Sequence, residues 1–159
     1  MTGSLASGFA GKLTLYGDAN GNGGNVDRLY ISVAGASSAV SGTLGIELTG
    51  LGMSANTSIG YISIEMVDVQ LSNYNDNFRI LSVPAAVSIS VYGLSGNDNL
   101  IIGNTVNKLE DVDGLVTFYG QGGTDTLTAD NSGDVTDCAG YCGQITSLGL
   151  SGLGMGDGI

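Results

Sequence analysis

Two stretches of the sequence, Val87–Ile102 and Leu115–Ala129, contain the same short phrase, VSISVYGLSGNDNLII and LVTFYGQGGTDTLTA. In each stretch, alternating apolar and polar residues lead to a Tyr-Gly pair, at Tyr92-Gly93 and Tyr119-Gly120. An aspartate follows the glycine by five positions, and a leucine follows the aspartate by two. Alternation with a period of two is typical of a β-strand, and glycine, asparagine and aspartate are typical of a tight turn. The phrase therefore predicts a strand–turn–strand unit that is repeated along the chain.

A longer repeat contains the short one. Leu48–Ser54 (LTGLGMS) matches Leu150–Gly156 (LSGLGMG) 102 positions later, and Gly11–Gly17 (GKLTLYG) matches Gly114–Gly120 (GLVTFYG) 103 positions later. Two matches in the same order at nearly the same distance indicate a tandem repeat of about 102 residues. We therefore expect residues 1–53 to be half of one copy and residues 54–159 to be a full copy, in an excerpt from a longer array.

Strands account for all of the predicted elements, including one at Thr43–Leu48 between two of the turn units. The regular spacing of the turns predicts an all-β fold, a parallel β-solenoid resembling a β-helix or β-roll, with roughly six to seven coils. An antiparallel β-sandwich is the alternative, since it also has short strands at regular intervals. The apolar phase of the strands predicts the following core residues: Leu13, Leu15, Leu29, Ile31, Val67, Val69, Ile89, Val91, Leu100, Ile102, Val116, Phe118 and Leu127.

The composition narrows the classes of function. The 159 residues are 42% hydrophobic and 12% charged, with 28 glycines, one proline and a formal net charge of −11. Nucleic acids and anionic membranes are recognised by basic patches, so an acidic chain is not expected to bind either one. No apolar run reaches the roughly 18 residues of a membrane span, and residues 1–8 lack the features of a secretion signal. The absence of histidine removes the commonest general base and a common zinc ligand.

The turn phrase also carries a resemblance to a known family. Gly93–Leu100 (GLSGNDNL) resembles the glycine/aspartate nonapeptide of the RTX, or haemolysin-type calcium-binding, proteins. The long repeat is similar to tandem repeats of very large secreted surface proteins, with LTGLGM at Leu48–Met53 and LEDVDG at Leu109–Gly114. The resemblance implies an extracellular or cell-surface location and Ca²⁺ as a cofactor.

Four turn aspartates are the candidate calcium ligands, namely Asp98, Asp125, Asp76 and Asp27. A carboxylate at a glycine turn, beside the carbonyl oxygens of neighbouring turns, suits an ion that prefers about six to eight oxygen ligands. Alternatively, each aspartate accepts hydrogen bonds from the backbone N–H groups of its own turn. The sequence leaves both interpretations open.

Three further features have a functional and a structural interpretation. Cys138 and Cys142 are the only cysteines, and they predict either a disulfide that closes a short loop or two free thiols. Asn56 begins an Asn-Thr-Ser acceptor pattern for N-glycosylation, or it belongs to an ordinary polar loop. Tyr16, Tyr92 and Tyr119 share one position before a glycine, which predicts a stacked aromatic ladder or a strip that binds sugars.

No pattern in the sequence predicts an enzyme. Glu110, Asp111 and Asp113 form the densest acidic run, but they alternate with apolar residues and indicate a solvated face. The leading hypothesis is a structural repeat module of an extracellular fibre, surface appendage or adhesin, which stacks head-to-tail with copies of itself. A calcium-binding β-roll module is the alternative, and a β-helix that binds or degrades polysaccharides is the remote one, with glycans as partners.

Overall fold

The computed structural model describes residues 11–18, 25–135, 144–146, 149–155 and 159 of the chain. Within these ranges every regular element is a β-strand, and no helix is long and apolar enough to cross a membrane. The strands are β1 (Lys12–Tyr16), β2 (Arg28–Ser32), β3 (Ser41–Leu44), β4 (Glu47–Gly50), β5 (Ser58–Ile62), β6 (Met66–Gln70), β7 (Asn77–Ile80), β8 (Ser88–Tyr92), β9 (Asn99–Ile102), β10 (Leu115–Tyr119), β11 (Thr126–Ala129), β12 (Gln144–Thr146) and β13 (Gly149–Ser151).

The strands form two large sheets and one small sheet. The first sheet has seven strands in the order β1-β5-β4-β3-β7-β9-β11, and the second has four in the order β10-β8-β6-β2. The four-stranded sheet is entirely parallel, whereas the seven-stranded sheet contains both orientations. From β6 to β11, consecutive strands alternate between the two sheets. The β12–β13 pair is a separate antiparallel hairpin.

The prediction of a parallel β-solenoid with six to seven coils is wrong, although the all-β class is confirmed. In the seven-stranded sheet, β4 runs antiparallel to both β3 and β5, so that sheet is mixed. The cause is local, because only Gly45 and Ile46 separate β3 from β4, and a two-residue connection can join only antiparallel neighbours. The single strand predicted at Thr43–Leu48 is therefore two strands with a reversal between them.

The two copies of the short phrase lie side by side. β8 pairs with β10 and β9 pairs with β11, both in parallel, so that Tyr92 lies opposite Tyr119 and Leu100 opposite Leu127. The strands of each copy thus keep the same register across both sheets. In this register the inward apolar residues of one copy lie opposite apolar residues of the other, as Val116 does with Ile89 and Phe118 with Val91.

The inward side chains of both large sheets form one buried cluster. The core prediction is confirmed for nine residues, which are Leu29, Ile31, Val67, Val69, Ile89, Val91, Leu100, Ile102 and Val116. Leu13, Leu15 and Phe118 are only partly buried, and Leu127 is 45% exposed, which contradicts the prediction for that residue. All four lie on β1, β10 or β11, which are the outermost strands of their sheets and have a neighbour on one side only.

The long repeat has a counterpart in the backbone. Gly50, Leu51 and Gly52 have φ angles of +78°, +52° and +79°, and Gly152, Leu153 and Gly154 have +81°, +55° and +83°. In both places a methionine N–H donates to the carbonyl of the first glycine, over 2.9 Å. Each segment also follows or ends a hairpin, β3–β4 in one case and β12–β13 in the other. The two matched phrases therefore adopt the same local conformation.

Candidate functional site

Three of the four predicted aspartates form a continuous row, which we call the aspartate ladder: Asp76, Asp98 and Asp125. The N–H of Asp76 donates to Oδ1 of Asp98, and the N–H of Asp98 donates to Oδ1 of Asp125, each over 2.9 Å. Asp76 Oδ1 in turn accepts the N–H of Val40 over 2.7 Å. Each carboxylate thus joins its own turn to the backbone of the preceding turn.

The glycine of the short phrase is required by this ladder. A Cβ placed on Gly93 would lie 2.3 Å from Oδ2 of Asp98, and one on Gly120 would lie 2.3 Å from Oδ2 of Asp125. Neither glycine has a positive φ, so their role is to admit the carboxylate rather than to adopt a special conformation. Gly96 and Gly123 do have positive φ values, +126° and +128°, a conformation that glycine adopts without the steric cost that other residues meet.

A second row of side chains runs beside the ladder, and the sequence arguments missed it. Oδ1 of Asn75 accepts the N–H of Asn97, and Oδ1 of Asn97 accepts the N–H of Thr124, each over 2.8 Å. The signal was present in the sequence as Asn-Asp-Asn at residues 75–77 and again at 97–99, with Thr-Asp-Thr at 124–126. These polar residues satisfy the backbone N–H groups that the turns leave without strand partners.

Asp98 is the most unusual member of the ladder. It is 2% exposed, and its Oδ2 is buried without a hydrogen-bond partner among the described residues. Burial raises the pKa of this carboxyl, and the neighbouring carboxylates of Asp76 and Asp125 raise it further. Asp76 differs, because its Oδ2 accepts both the N–H and the hydroxyl of Ser72. In the next turn the position equivalent to Ser72 is occupied by Leu94, which has no hydroxyl group. The corresponding oxygen of Asp98 therefore has no hydroxyl donor at this position.

The structure places Asp27 away from the ladder. Its Oδ2 accepts the N–H of Asp18 over 2.8 Å, and its own N–H donates to Oε2 of Glu65 over 2.9 Å. The hydrogen bond and the charge of Asp27 raise the pKa of Asp18. Glu65 thus does for Asp27 what Asp98 does for Asp76. Glu65 directly precedes β6, at the place where the other turns have an aspartate. The turn phrase did not predict it, because that phrase contains aspartate and not glutamate.

In the ladder, one oxygen of each carboxylate is already engaged by the backbone. The Oδ1 atoms of all three carboxylates already accept backbone N–H groups, and those groups repel a cation. No cluster of three or more His, Cys, Asp or Glu residues that could hold a metal ion occurs in the part of the chain that the structure describes. Asp98 Oδ2 is the one ladder oxygen that is buried without a hydrogen-bond partner among the described residues. A single carboxylate oxygen is far fewer than the roughly six to eight oxygen ligands that Ca²⁺ prefers. Calcium binding at these four aspartates stays a prediction.

The predicted tyrosine ladder exists in part. The rings of Tyr92 and Tyr119 are stacked, with centroids 4.8 Å apart and planes inclined by 8°. Tyr16 does not join them, because β1 lies at the edge of the other sheet, where Tyr16 is paired with Ile62. The stack is therefore a pair that follows from the register of β8 and β10.

The remaining candidate residues named from the sequence are the two cysteines, Asn56 and the acidic run. Cys138 and Cys142 lie outside the described residues. Asn56 is exposed in a turn with a φ of +65°, so its side chain is open to solvent. Glu110, Asp111 and Asp113 are exposed, and Asp111 accepts a hydrogen bond from the side chain of Asn104.

A groove of about 520 Å³ lies beside the loop at residues 53–58. Glu47 is the only carboxylate among its lining residues. Hydrogen bonds from Lys12 and then Ser58 lower the pKa of Glu47, so it is an ion-paired carboxylate. A general acid requires the opposite shift.

The outer edges of β10 and β11 form an exposed surface at one end of both large sheets, which we call the β10–β11 edge. These strands are consecutive along the chain, and each is the last strand of its sheet. Three large apolar side chains are exposed there, Leu115 at 42%, Tyr119 at 46% and Leu127 at 45%. Rows of unpaired backbone groups with exposed apolar residues favour pairing with another strand.

Comparison of the chain with protein-family models, with curated proteins and with solved structures gives no match.

Proposed function

We propose that the chain is a structural repeat module of an extracellular fibre, surface appendage or adhesin, whose copies associate end to end into a filament. The observation that carries this proposal is the β10–β11 edge, where the last strand of each sheet has no strand on its outer side among the described residues. The other end of each sheet is also an edge, at β1 and β2, and Tyr16 and Tyr30 are exposed there. A molecule with two different open edges can form a heterologous contact that does not close, which generates a fibre.

The internal repeat supports the same proposal. A unit that recurs at about 102 residues and returns to the same backbone conformation suits an array whose length is set by the number of copies. The ladder and the paired core residues fix each turn on the preceding one, which makes such an array stiff.

Association is tested by a concentration series of the 159-residue chain, followed by sedimentation velocity and electron microscopy. We expect oligomers that grow with concentration, and Leu127→Lys should reduce them because it places a charge where an exposed apolar side chain would be buried by the contact. Thr128→Lys is the matched control, since Thr128 is exposed on the opposite phase of the same strand and the charge change is equal. Chains that stay monomeric throughout, or equal effects of the two lysines, would refute the proposal.

A calcium-responsive module is the second candidate, supported by one observation. Among the described residues, Oδ2 of Asp98 is a buried carboxylate oxygen without a hydrogen-bond partner, and a cation would relieve both its isolation and its repulsion by the adjacent carboxylates. The test is the melting temperature in millimolar Ca²⁺ and in chelator, for the wild type and for Asp98→Asn. A rise in the wild type alone supports this candidate, because ligand binding to the folded state stabilises it. Identical melting temperatures refute it.

A further inference from the structure

β1 and β2 are the sequence equivalents of β10 and β11. Lys12–Tyr16 matches Leu115–Tyr119 in the long repeat, and Asp27 and Asp125 are the aspartates that precede β2 and β11. The turn between β1 and β2 is five residues longer, which changes the loop but not the strands. Yet the two pairs of strands have different neighbours, since β1 pairs with β5 and β2 pairs with β6.

The edge that β5 covers on β1 is the edge that is bare on β10. The N–H of Gly17 donates to the carbonyl of Ile62, so the peptides of Gly17, and of Leu13 and Leu15 by alternation, face β5. The repeat equivalents of these three are Gly120, Val116 and Phe118. The N–H of Gly93 donates to the carbonyl of Tyr119, so Tyr119 faces β8. Val116 and Phe118 therefore face away from β8, toward the position that β5 has beside β1.

The same correspondence holds in the second strand of each pair. The N–H of Met66 donates to the carbonyl of Asp27, so Asp27 and, by alternation, Leu29 face β6. The N–H of Thr126 donates to the carbonyl of Asp98, so Thr126 faces β9 and Leu127 faces outward. Leu127 is the equivalent of Leu29. With β6 beside it Leu29 is 9% exposed, whereas Leu127 without such a neighbour is 45% exposed.

β1 and β2 are each held in their sheet by a single neighbouring strand. In the seven-stranded sheet β1 pairs only with β5, and in the four-stranded sheet β2 pairs only with β6. Two ion pairs reinforce them, between Lys12 and Glu47 and between Arg28 and Asp68. β10 and β11 carry Leu115 and Thr126 in place of the two cations, so they offer apolar contact where β1 and β2 offer charge.

We infer that the β10–β11 edge of one copy takes the place of β1 and β2 on the β5–β6 edge of a second copy, so that a filament grows by exchange of equivalent strands. This inference rests on the proposed end-to-end association and names its partner surface. The register follows from the pairs already present: Thr126 lies opposite Met66 of the second copy, as Arg28 does within one copy, and Leu127 lies opposite Val67. Leu127 is thereby buried, and the backbone groups of both outer strands gain partners.

The inference is tested by disulfide formation between two differently labelled variants of the full chain, Thr126→Cys and Met66→Cys. Both are made with Cys138→Ser and Cys142→Ser, so that no native thiol competes. Adjacent strands are about 4.8 Å apart, which brings residues that are opposite each other within the 4.4–6.8 Å Cα separation of a disulfide. We expect the mixture to form the cross-linked heterodimer under mild oxidation. The matched control is Thr128→Cys with Met66→Cys, which is two residues out of register. It should cross-link about tenfold less, because the two Cα atoms then lie beyond the separation that a disulfide spans.

A third mixture separates this inference from the proposal on which it rests. If the β10–β11 edge instead stacks on the intact outer edge of β2, Thr126→Cys should cross-link with Arg28→Cys, the equivalent residue on that strand. Filaments that show this cross-link and not the one to Met66→Cys would overturn strand exchange and leave end-to-end association in place. Variants that remain monomeric and form no cross-link in any mixture would overturn both.

Discussion

Replacing Gly93 by alanine should destabilise the fold through one identified contact. The added Cβ would lie 2.3 Å from Oδ2 of Asp98 and 2.7 Å from the carbonyl oxygen of Gly120. Both distances are shorter than any carbon–oxygen contact that a folded protein tolerates, so the carboxylate has to move. When it moves, Oδ1 of Asp98 loses the N–H of Asp76, which is 2.9 Å away and buried.

The expected magnitude follows from these two effects. Overpacking a well-packed interior costs about 1–3 kcal/mol, and leaving a buried N–H without an acceptor costs about 1–3 kcal/mol. Gly93→Ala should therefore lower the free energy of unfolding by about 2–6 kcal/mol. For a chain of this length that corresponds to a decrease in melting temperature of roughly 5–20 °C.

Urea unfolding followed by circular dichroism measures this effect, with Gly35→Ala as the matched control. A Cβ on Gly35 meets no atom within 4 Å and its φ is not positive, so that variant should be unchanged or more stable by about 0.4–1 kcal/mol. The double variant Gly93→Ala with Asp98→Ala should cost less than the sum of the single variants, because the clashing carboxylate is gone. Equal stability of the two alanine variants, or strict additivity in the double variant, would refute the reasoning.

Two further predictions concern the ladder and the core. Burial raises the pKa of Asp98, so its folded-state pKa lies above the unfolded value of about 3.9. The contribution of Asp98 to stability is therefore full below the unfolded pKa and is lost as the pH rises through the folded pKa. The wild type should gain stability relative to Asp98→Asn when the pH is lowered from 7 toward 3.5, and parallel urea-unfolding curves would contradict this. Phe78→Ala, which removes a side chain that is 1% exposed in β7, should cost about 3–5 kcal/mol, whereas the exposed Tyr74→Ala should stay within about 0.5 kcal/mol; similar losses for both would show that Phe78 is not a core residue.

The turn units were predictable because their information is local. The alternation in Val87–Tyr92 and Leu115–Tyr119 specifies which side chains point inward, and it does so without knowledge of the neighbours. The positive φ of Gly96 and Gly123 follows in the same way from the composition of one turn. A slip of one residue between the two parts of the phrase would turn polar residues toward the core, which opposes that register.

The direction of the chain in the seven-stranded sheet was not predicted, although its cause is short. Gly45 and Ile46 divide one apparent strand into β3 and β4, and the solenoid prediction failed at that point. A run such as Thr43–Leu48 alternates in the same way whether it is one strand or the two sides of a hairpin. The pairing of Leu44 with Leu48 shows that the run is a hairpin, and this pairing exists only in the folded sheet.

The sequence by itself determined the strand–turn–strand unit, its repetition and the inward phase of the strands in that unit, because each depends on side chains within a few positions of one another. Tertiary structure alone decided which strands end the sheets, and therefore that Leu127 is exposed while its equivalent Leu29 is buried. It also decided that Asp98, one of three similar aspartates, has a buried oxygen without a hydrogen-bond partner in the part of the chain that the structure describes. Exposure and hydrogen-bond satisfaction depend on which strand lies alongside, and two equivalent strands of this chain have different neighbours.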